Sequence, residues 1–457
     1  MEFVDWDAQR TASRWFTALL VLYIAFIATA SLILGTGEVS LDKGLARLGD
    51  LRREVATVHD LRDIATNVLL YIPLGALAAL RIDPARLRVL SPWLALGPVV
   101  SLVMEIAQSF TDRTPDLVDL FTNTSGHVAG FLLVVIAVQR IGLKPAALLG
   151  LSSGQQSSDQ LRTVQGLLFL YVCVYAILQL APFDISVRLE NIHGKLLGGE
   201  SGVPRIILDP LFHVRQGAAG VLPMLYALIG VAPIAALRCH IRASQAREAV
   251  LSPLWFVTAV AAALELGQVF VLSRTTDIVD ILLAPLGGLL GVALARGWHR
   301  LQHTATPRHE ADRPTHIVGF ALVIYLVILT VLTWAPYQFE LDVPAILRKL
   351  KTESNWWPFR EHFALRNLPA ARDLVEETVQ TIPLGLLLIV LVQRLRPGLS
   401  FVARLAVVAA LCAGVGGFLE LTQVACKGRF VDITDVVLAI TGGVIGGLLS
   451  RVLARRT

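Results

Sequence analysis

Apolar runs of about 20 residues, the length a helix needs to cross ~30 Å of hydrocarbon, recur from one end of the chain to the other with short polar breaks between them. No other feature constrains the fold as strongly. Inside lipid every backbone N–H and C=O must be satisfied within the protein, so runs of this length fold as helices. Spans are expected near 15–34, 64–80, 90–110 and 118–138, then 162–181, 214–236, 252–272 and 278–295, then 315–335, 374–392, 402–421 and 432–453. Composition agrees, because 55% hydrophobic against 16% charged residues is a balance that a water-soluble globule of this length does not hold. The expected class is all-α: a polytopic membrane protein of about twelve transmembrane helices.

Loop charge gives an orientation. Arg81, Arg86 and Arg88; Arg238, Arg242 and Arg247; Arg394, Arg396 and Arg404; and the tail Arg451, Arg455 and Arg456 fall on one side, together with the linkers that hold Arg140, Lys144 and Arg162 and then Arg296, Arg300, Arg308 and Arg313. Cytoplasmic loops retain Lys and Arg, so both termini are expected in the cytoplasm, with the first span a retained helix and not a signal peptide. The basic residues are scattered over short loops and form no single stripe, which excludes nucleic acid as a partner. Cys173, Cys239, Cys412 and Cys426 lie far apart without CxxC or a zinc-like spacing.

One pattern returns three times. It reads Glu105, Gln108, Arg113, Asp116, Asp119, Gly126, Gly130; then Glu265, Gln268, Arg274, Asp277, Asp280, Gly287, Gly291; then Glu420, Gln423, Arg429, Asp432, Asp435, Gly442, Gly446. Spacing from the Arg onward is identical, and the single slip is one extra residue between Gln and Arg in the second and third copies. Upstream, Asp63, Asn67, Pro73 and Gly75 are echoed by Asp373, Glu377, Pro383 and Gly385, whereas the middle copy keeps Pro223 but has His213 and Gly217. Internal repetition of this kind implies tandem structural units. The divisions are 1–140, a linker 141–161, 162–297, a linker 298–314, and 315–457, each unit carrying four helices. Long polar loops near 36–62, 184–212 and 338–372 follow the first helix of each unit, and Trp356 and Trp357 in the last suggest an element lying at the bilayer interface.

These residues resemble the VanZ-like membrane proteins, a family named after a glycopeptide-resistance accessory protein. The resemblance rests on Asp63, Asn67, the IPLG segment around Pro73, and Glu105, Gln108, Arg113, Asp116, Asp119, Asn123 and Gly126. The third copy departs at Glu377 and Ala439, and the second matches only in its latter half. The resemblance implies a protein of the bacterial cell envelope, in the inner membrane, and does not imply a reaction.

The repeated polar residues allow several readings. The turn between the third and fourth helix of each unit is expected to face outward, with Asp63 and Asn67, four apart, reaching the same place. Glu105 lies below the interface, where an ionised carboxylate needs a partner; Arg113 is the expected one, and Gln108 shares its helix face. Asp119, Asn123, Gly126 and Gly130 line one stripe of the fourth helix, as do Asp280, Gly287 and Gly291, and Asp435, Gly442 and Gly446, so the glycines are expected to let another backbone approach. The cluster could fix helix register alone, bind the headgroup of an envelope lipid or lipid-linked glycan, or act as a membrane enzyme with Glu105 as acid or base. Catalysis is disfavoured because the chain has no nucleophile elbow, Walker loop or HExxH. A carrier is disfavoured because units with an even number of spans share one orientation. No cofactor or metal is expected: Arg113 among Glu105, Asp116 and Asp119 argues against a cation site. His59, His127, His193 and His213 are expected to be satisfied polar residues. Membrane lipids are the expected partners, with envelope-assembly proteins as a further class.

Overall fold

The computed structural model describes residues 6–32, 61–84, 86–87, 91–110, 117–149, 157–181, 184–198, 205–216, 218–244, 250–303, 315–334, 338–339, 342–351, 356–359, 368–427 and 429–453. The loop 36–60, residues 360–367, Arg113, Asp116 and Gly217 lie outside them, as does the side chain of Asp63.

A helix stands over every expected span. The first group is α1 (Trp6–Leu32), α2 (Leu61–Leu80), α3 (Leu96–Ser109) and α4 (Leu117–Ile136). The second is α5 (Ser157–Leu180), the short α6 (Leu189–Leu197), α7 (Ala218–Ser244), α8 (Leu251–Val269) and α9 (Ile278–His303). The third is α10 (Thr315–Thr333), the short α11 (Val343–Lys351), α12 (Leu368–Leu395), α13 (Phe401–Gln423) and α14 (Ile433–Val452). Among the described residues nine helices are long and apolar enough to cross a membrane, and Asn67–Leu80 and Ile317–Thr333 are shorter apolar helices. The protein is an all-α polytopic membrane protein. The span expected at 90–110 is built of two pieces: Pro92–Ala95 forms a 3-10 turn capped by Ser91, and α3 follows with 14 residues, about 21 Å of rise.

Within each group the second helix lies along the fourth: α2 on α4, α7 on α9, α12 on α14. The glycine stripes sit at these seams. A Cβ at Gly126 would lie 2.1 Å from the Val68 carbonyl oxygen, at Gly130 1.9 Å from that of Ile72, at Gly287 2.4 Å from Leu228, at Gly291 2.1 Å from Ala232, at Gly442 2.2 Å from Thr378 and at Gly446 2.1 Å from Ile382. Backbones this close exclude any side chain. Each second helix also carries an internal proline, Pro73, Pro223 or Pro383, whose missing N–H breaks one rung of the ladder. One residue beyond that rung, Leu70 and Gln380 carbonyls accept from Tyr23 and Tyr325 Oη at 2.8 and 2.5 Å, which ties the first helix of the group to the second.

Separate apolar cores follow: Tyr71, Leu74, Phe131 and Val134 in the first group; Val164, Ile234, Val257 and Ala284 in the second; Leu384, Leu388, Val408 and Cys412 in the third. The groups touch through α2 and α12, through Phe26 edge-on to Phe359 at 4.9 Å, and through Trp298 Nε1, which donates to the Leu453 carbonyl at 3.2 Å.

Candidate functional site

Helices α8 and α9, and likewise α13 and α14, are joined by tight corners. Their geometry is set by the repeated Glu and the first Asp. Glu265 Oε2 accepts the backbone N–H of Asp277 at 2.6 Å, and Glu420 Oε2 accepts that of Asp432 at 2.8 Å. Asp277 Oδ1 in turn accepts from the Val279 N–H, and Asp432 Oδ1 from the Thr434 N–H, each at 2.8 Å. The aspartates are therefore N-terminal caps, satisfying donors that a helix start leaves orphaned. The Gln completes the corner: in the orientation that satisfies both ends of its amide, Gln268 donates to Glu265 at 3.3 Å and to the Thr275 carbonyl at 2.8 Å, while Gln423 donates to the Phe430 carbonyl at 3.3 Å.

The pairing expected of Arg113 with Glu105 falls outside the described residues; in the middle group the Arg of the repeat reaches backbone carbonyls. Arg274 directs Nε to the Ala181 carbonyl and Nη2 to the Leu178 carbonyl, both at 2.5 Å. Those carbonyls belong to the last turn of α5 and to its exit, where the helix has acceptors without intrahelical donors and its dipole attracts a cation. The guanidinium thus closes the first helix of the group onto the corner.

A second cation does the same work from the polar loop. Lys195, on α6, donates through Nζ to Gln268 and Val271 carbonyls, the latter at 3.0 Å. Lys349, on α11, donates to Val424 and Cys426 carbonyls at 3.1 and 2.9 Å. Val271 and Cys426 hold the same place, three residues beyond the repeated Gln, and each also bridges to the loop strand, Val271 to Ile185 and Cys426 to Phe339. Burial pushes the Lys195 ammonium down to about 8. Neither lysine was among the expected site residues. The signal was present as Ile192-x-x-Lys195-Leu196 beside Ile346-x-x-Lys349-Leu350, although three positions in a polar loop are a weak match.

The second Asp and its neighbours form the polar interior. Asn67 Nδ2 donates to Asp119 Oδ1 at 2.6 Å. In the third group Glu377 takes the place of Asn67, and its carboxyl lies beside that of Asp435, which also neighbours Glu420. In the middle group Asp280 lies beside Glu265, and His213, standing where the flanking copies have Asp63 and Asp373, contacts Asp277 through Nε2 at 2.5 Å. His213 is thus part of the cluster, a role its isolated position in the sequence did not disclose. Glu105 and Gln108 are buried beside this interior. Asn123 donates to Ser101 Oγ at 3.0 Å, and His127, wholly buried, meets the Trp93 carbonyl at 3.1 Å.

The clusters differ in the space they enclose. Around Glu265 and Asp280 the cavity is only about 10 Å³, filled by Tyr175, Gln179, Val231 and Leu264. In the third group Asp373, Glu376, Glu377, Glu420, Asp435 and Arg429 line a cavity of about 250 Å³ together with Leu329, Leu332, Val415 and Leu419, and Tyr226 from α7 of the neighbouring group also borders it. No group of three or more His, Cys, Asp or Glu side chains among the described residues is arranged to hold a metal ion.

The VanZ/LLP1 family model matches residues 14–138 and again 322–454, more than half of the chain. The chain belongs to the VanZ/LLP1 family. Both VanZ/LLP1 matches run from the first helix of their group through the glycine stripe, so each contains a complete four-helix set. The stretch between them, α5 to α9, is not matched. No curated protein and no solved structure matches the chain. Within this VanZ/LLP1 chain, then, the open cavity belongs to a matched group, and the closed one to the unmatched middle.

Proposed function

We propose that the protein binds the polar headgroup of an amphiphilic molecule of the bacterial cell envelope in the cavity between α10, α12 and α13, with the hydrocarbon of that molecule against the leucines that line it. The observation that carries this reading is the cavity itself: about 250 Å³ lined by both charged side chains and leucines, the mixed lining expected of a site for a molecule that is itself half polar. Lipid or lipid-linked glycan handling, and through it an effect on glycopeptide sensitivity, is the physiological form this takes. The unmatched stretch 162–297 is read as a diverged third unit whose polar cluster has become structural, since its Glu265 and Asp277 make the same corner as Glu420 and Asp432 around almost no space. With the basic loops in the cytoplasm of an inner-membrane protein, the corners and the cavity face outward.

The Glu420 carboxylate, which would suit acid–base work, is engaged by the Asp432 backbone N–H. The reading is tested by purifying the protein with native lipids and identifying co-purified molecules by mass spectrometry, wild type against Leu332→Trp, which puts a bulkier side chain in the cavity lining, and against Glu420→Gln. A specific amphiphile lost in both folded variants supports it. Identical bulk lipid in all three samples sinks it.

A further inference from the structure

The two short helices of the polar loops are inverted for a surface that meets water. On α6 and α11 the lysine turns inward: Lys195 reaches the Gln268 and Val271 carbonyls, and Lys349 those of Val424 and Cys426. The outward stripe is apolar instead. Leu189 and Leu197 are 84% and 64% exposed on α6, and Val343 and Leu347 are 62% and 47% exposed on α11. Leu189 and Val343 each stand six residues before the inward lysine, so both helices present their stripes in the same register. A helix between protein and water buries its leucines and exposes its lysines, and exposed apolar patches mark a surface that something else covers.

Placement identifies the cover. The carbonyls held by the two lysines belong to the ends of α8 and α13 and the turns just beyond. About one turn earlier on these two membrane-crossing helices, Leu266 and Leu421 follow Glu265 and Glu420 directly and are themselves 66% and 59% exposed. Phe270 and Phe430, in the corners, are exposed as well. The apolar outer surface of the spans is therefore carried on by the loop helices at its edge. In the third group Trp356 and Trp357 stand exposed beyond the C-terminal end of α11, where Trp356 Nε1 donates to the Leu350 carbonyl at 3.0 Å. Tryptophan is the residue favoured at the level of lipid headgroups. Lys351, exposed and four residues beyond Leu347, ends the same stripe with a flexible cation that can meet headgroup phosphates while its stem lies on hydrocarbon.

We propose that α6 and α11 are interfacial membrane helices, lying in the headgroup and upper acyl region of the leaflet on the side of the corners, with the inward lysines fixing their depth against α8 and α13. The partner is phospholipid, met through the apolar stripes of both helices and, on α11, through Trp356, Trp357 and Lys351 as well. This contact is separate from the headgroup-binding cavity and holds whether or not that cavity is occupied.

The test uses the full-length protein in nanodiscs of phosphatidylethanolamine and phosphatidylglycerol. A nitroxide is attached at Leu189→Cys or Leu347→Cys, and the signal of equally treated wild type is subtracted for its own cysteines. Collision with oxygen, which concentrates in lipid, is compared with collision with a water-soluble nickel chelate. Leu411→Cys on α13 serves as the lipid reference and Arg396→Cys, between α12 and α13, as the aqueous one. Both labels are expected at a depth of about 5–10 Å into the headgroup and acyl boundary. Nickel accessibility equal to that at Arg396→Cys would overturn the proposal by placing the helices in water. Low accessibility to both reagents would overturn it by showing a cover of protein, whether a partner or another part of this chain. A second readout needs no label: Trp356→Phe together with Trp357→Phe should remove emission that brominated lipid quenches and iodide spares. Removal of iodide-quenched emission instead would overturn the lipid contact of α11.

Discussion

Asn67 donates its side-chain amide to Asp119 at 2.6 Å, and at the corresponding place in the third group Glu377 brings a second carboxyl to Asp435. The amide–carboxylate pair is satisfied without a shared proton, while the carboxyl pair is not. Glu377→Asn should therefore recreate the first arrangement in the third group and raise the thermal stability of the purified protein, by about 1 kcal/mol for a buried hydrogen bond gained at no proton cost. A melting temperature unchanged or lowered in a monodisperse sample contradicts the comparison.

The Glu265 and Glu420 carboxylates serve backbone donors, so an uncharged acceptor should suffice for folding. Glu265→Gln and Glu420→Gln are expected to accumulate in the membrane and elute as wild type. Glu265→Leu leaves the Asp277 N–H buried without its acceptor and should cost about 1–3 kcal/mol. Equal losses for Gln and Leu, read by fluorescence-detected size exclusion after heating, would show that charge and not acceptance matters there.

Arg274 ties the α8–α9 corner to the end of α5 through two carbonyls. Arg274→Met removes both bonds and is expected to lower stability by about 2–4 kcal/mol, at the scale of charge-assisted hydrogen bonds. Arg274→Lys, with one compact ammonium in place of a planar fork, should recover about half of it. Full recovery by Lys would mean that charge near the helix end is enough.

Gly130 and Ile72 meet backbone to backbone, with only 1.9 Å between an added Cβ and the carbonyl oxygen. Gly130→Val should push α2 from α4 and destabilise by about 2–3 kcal/mol or prevent assembly. Gly414 has open space around its Cα, so Gly414→Ala serves as the tolerated control. Comparable loss in both would refute the seam.

Lys195 lies in the polar loop, and burial pushes its ammonium from 10.5 down to about 8. The unfolded chain then binds more protons than the folded one between those values, so the stability contributed at this position rises as pH increases from about 8 toward 10.5 and is flat below. The neutral amine keeps N–H donors for the Gln268 and Val271 carbonyls. Melting temperatures of wild type and Lys195→Met across that window check the sign: the difference between them should move in favour of wild type as pH rises.

Part of this architecture is legible in the chain without coordinates. Twelve positions for helices follow from apolar length, and the seams follow from Gly126, Gly287 and Gly442 recurring four residues before Gly130, Gly291 and Gly446. The Glu and Asp of each repeat announce a polar corner. What they do there was less legible: a carboxylate below the interface suggests an ion pair with the nearest Arg, yet the corner itself exposes backbone N–H groups closer to hand, and Arg274 finds the carbonyls of a helix about ninety residues earlier. Lys195, Lys349, Tyr23 and Tyr325 escaped notice because a single polar residue in a loop, or a single tyrosine in an apolar run, has no periodicity to distinguish it.

The sequence by itself determined the class, the helices, the repeated corners and the stripes of close approach, because each depends on residues near one another along the chain. Tertiary structure alone decided which corner is closed around about 10 Å³ and which opens to about 250 Å³. Empty space between helices is a difference between the volumes of side chains brought together from distant segments, Tyr226 with Leu332 and Glu420 in one group, Tyr175 with Val231 and Leu264 in the other, and no local pattern in the chain records that difference.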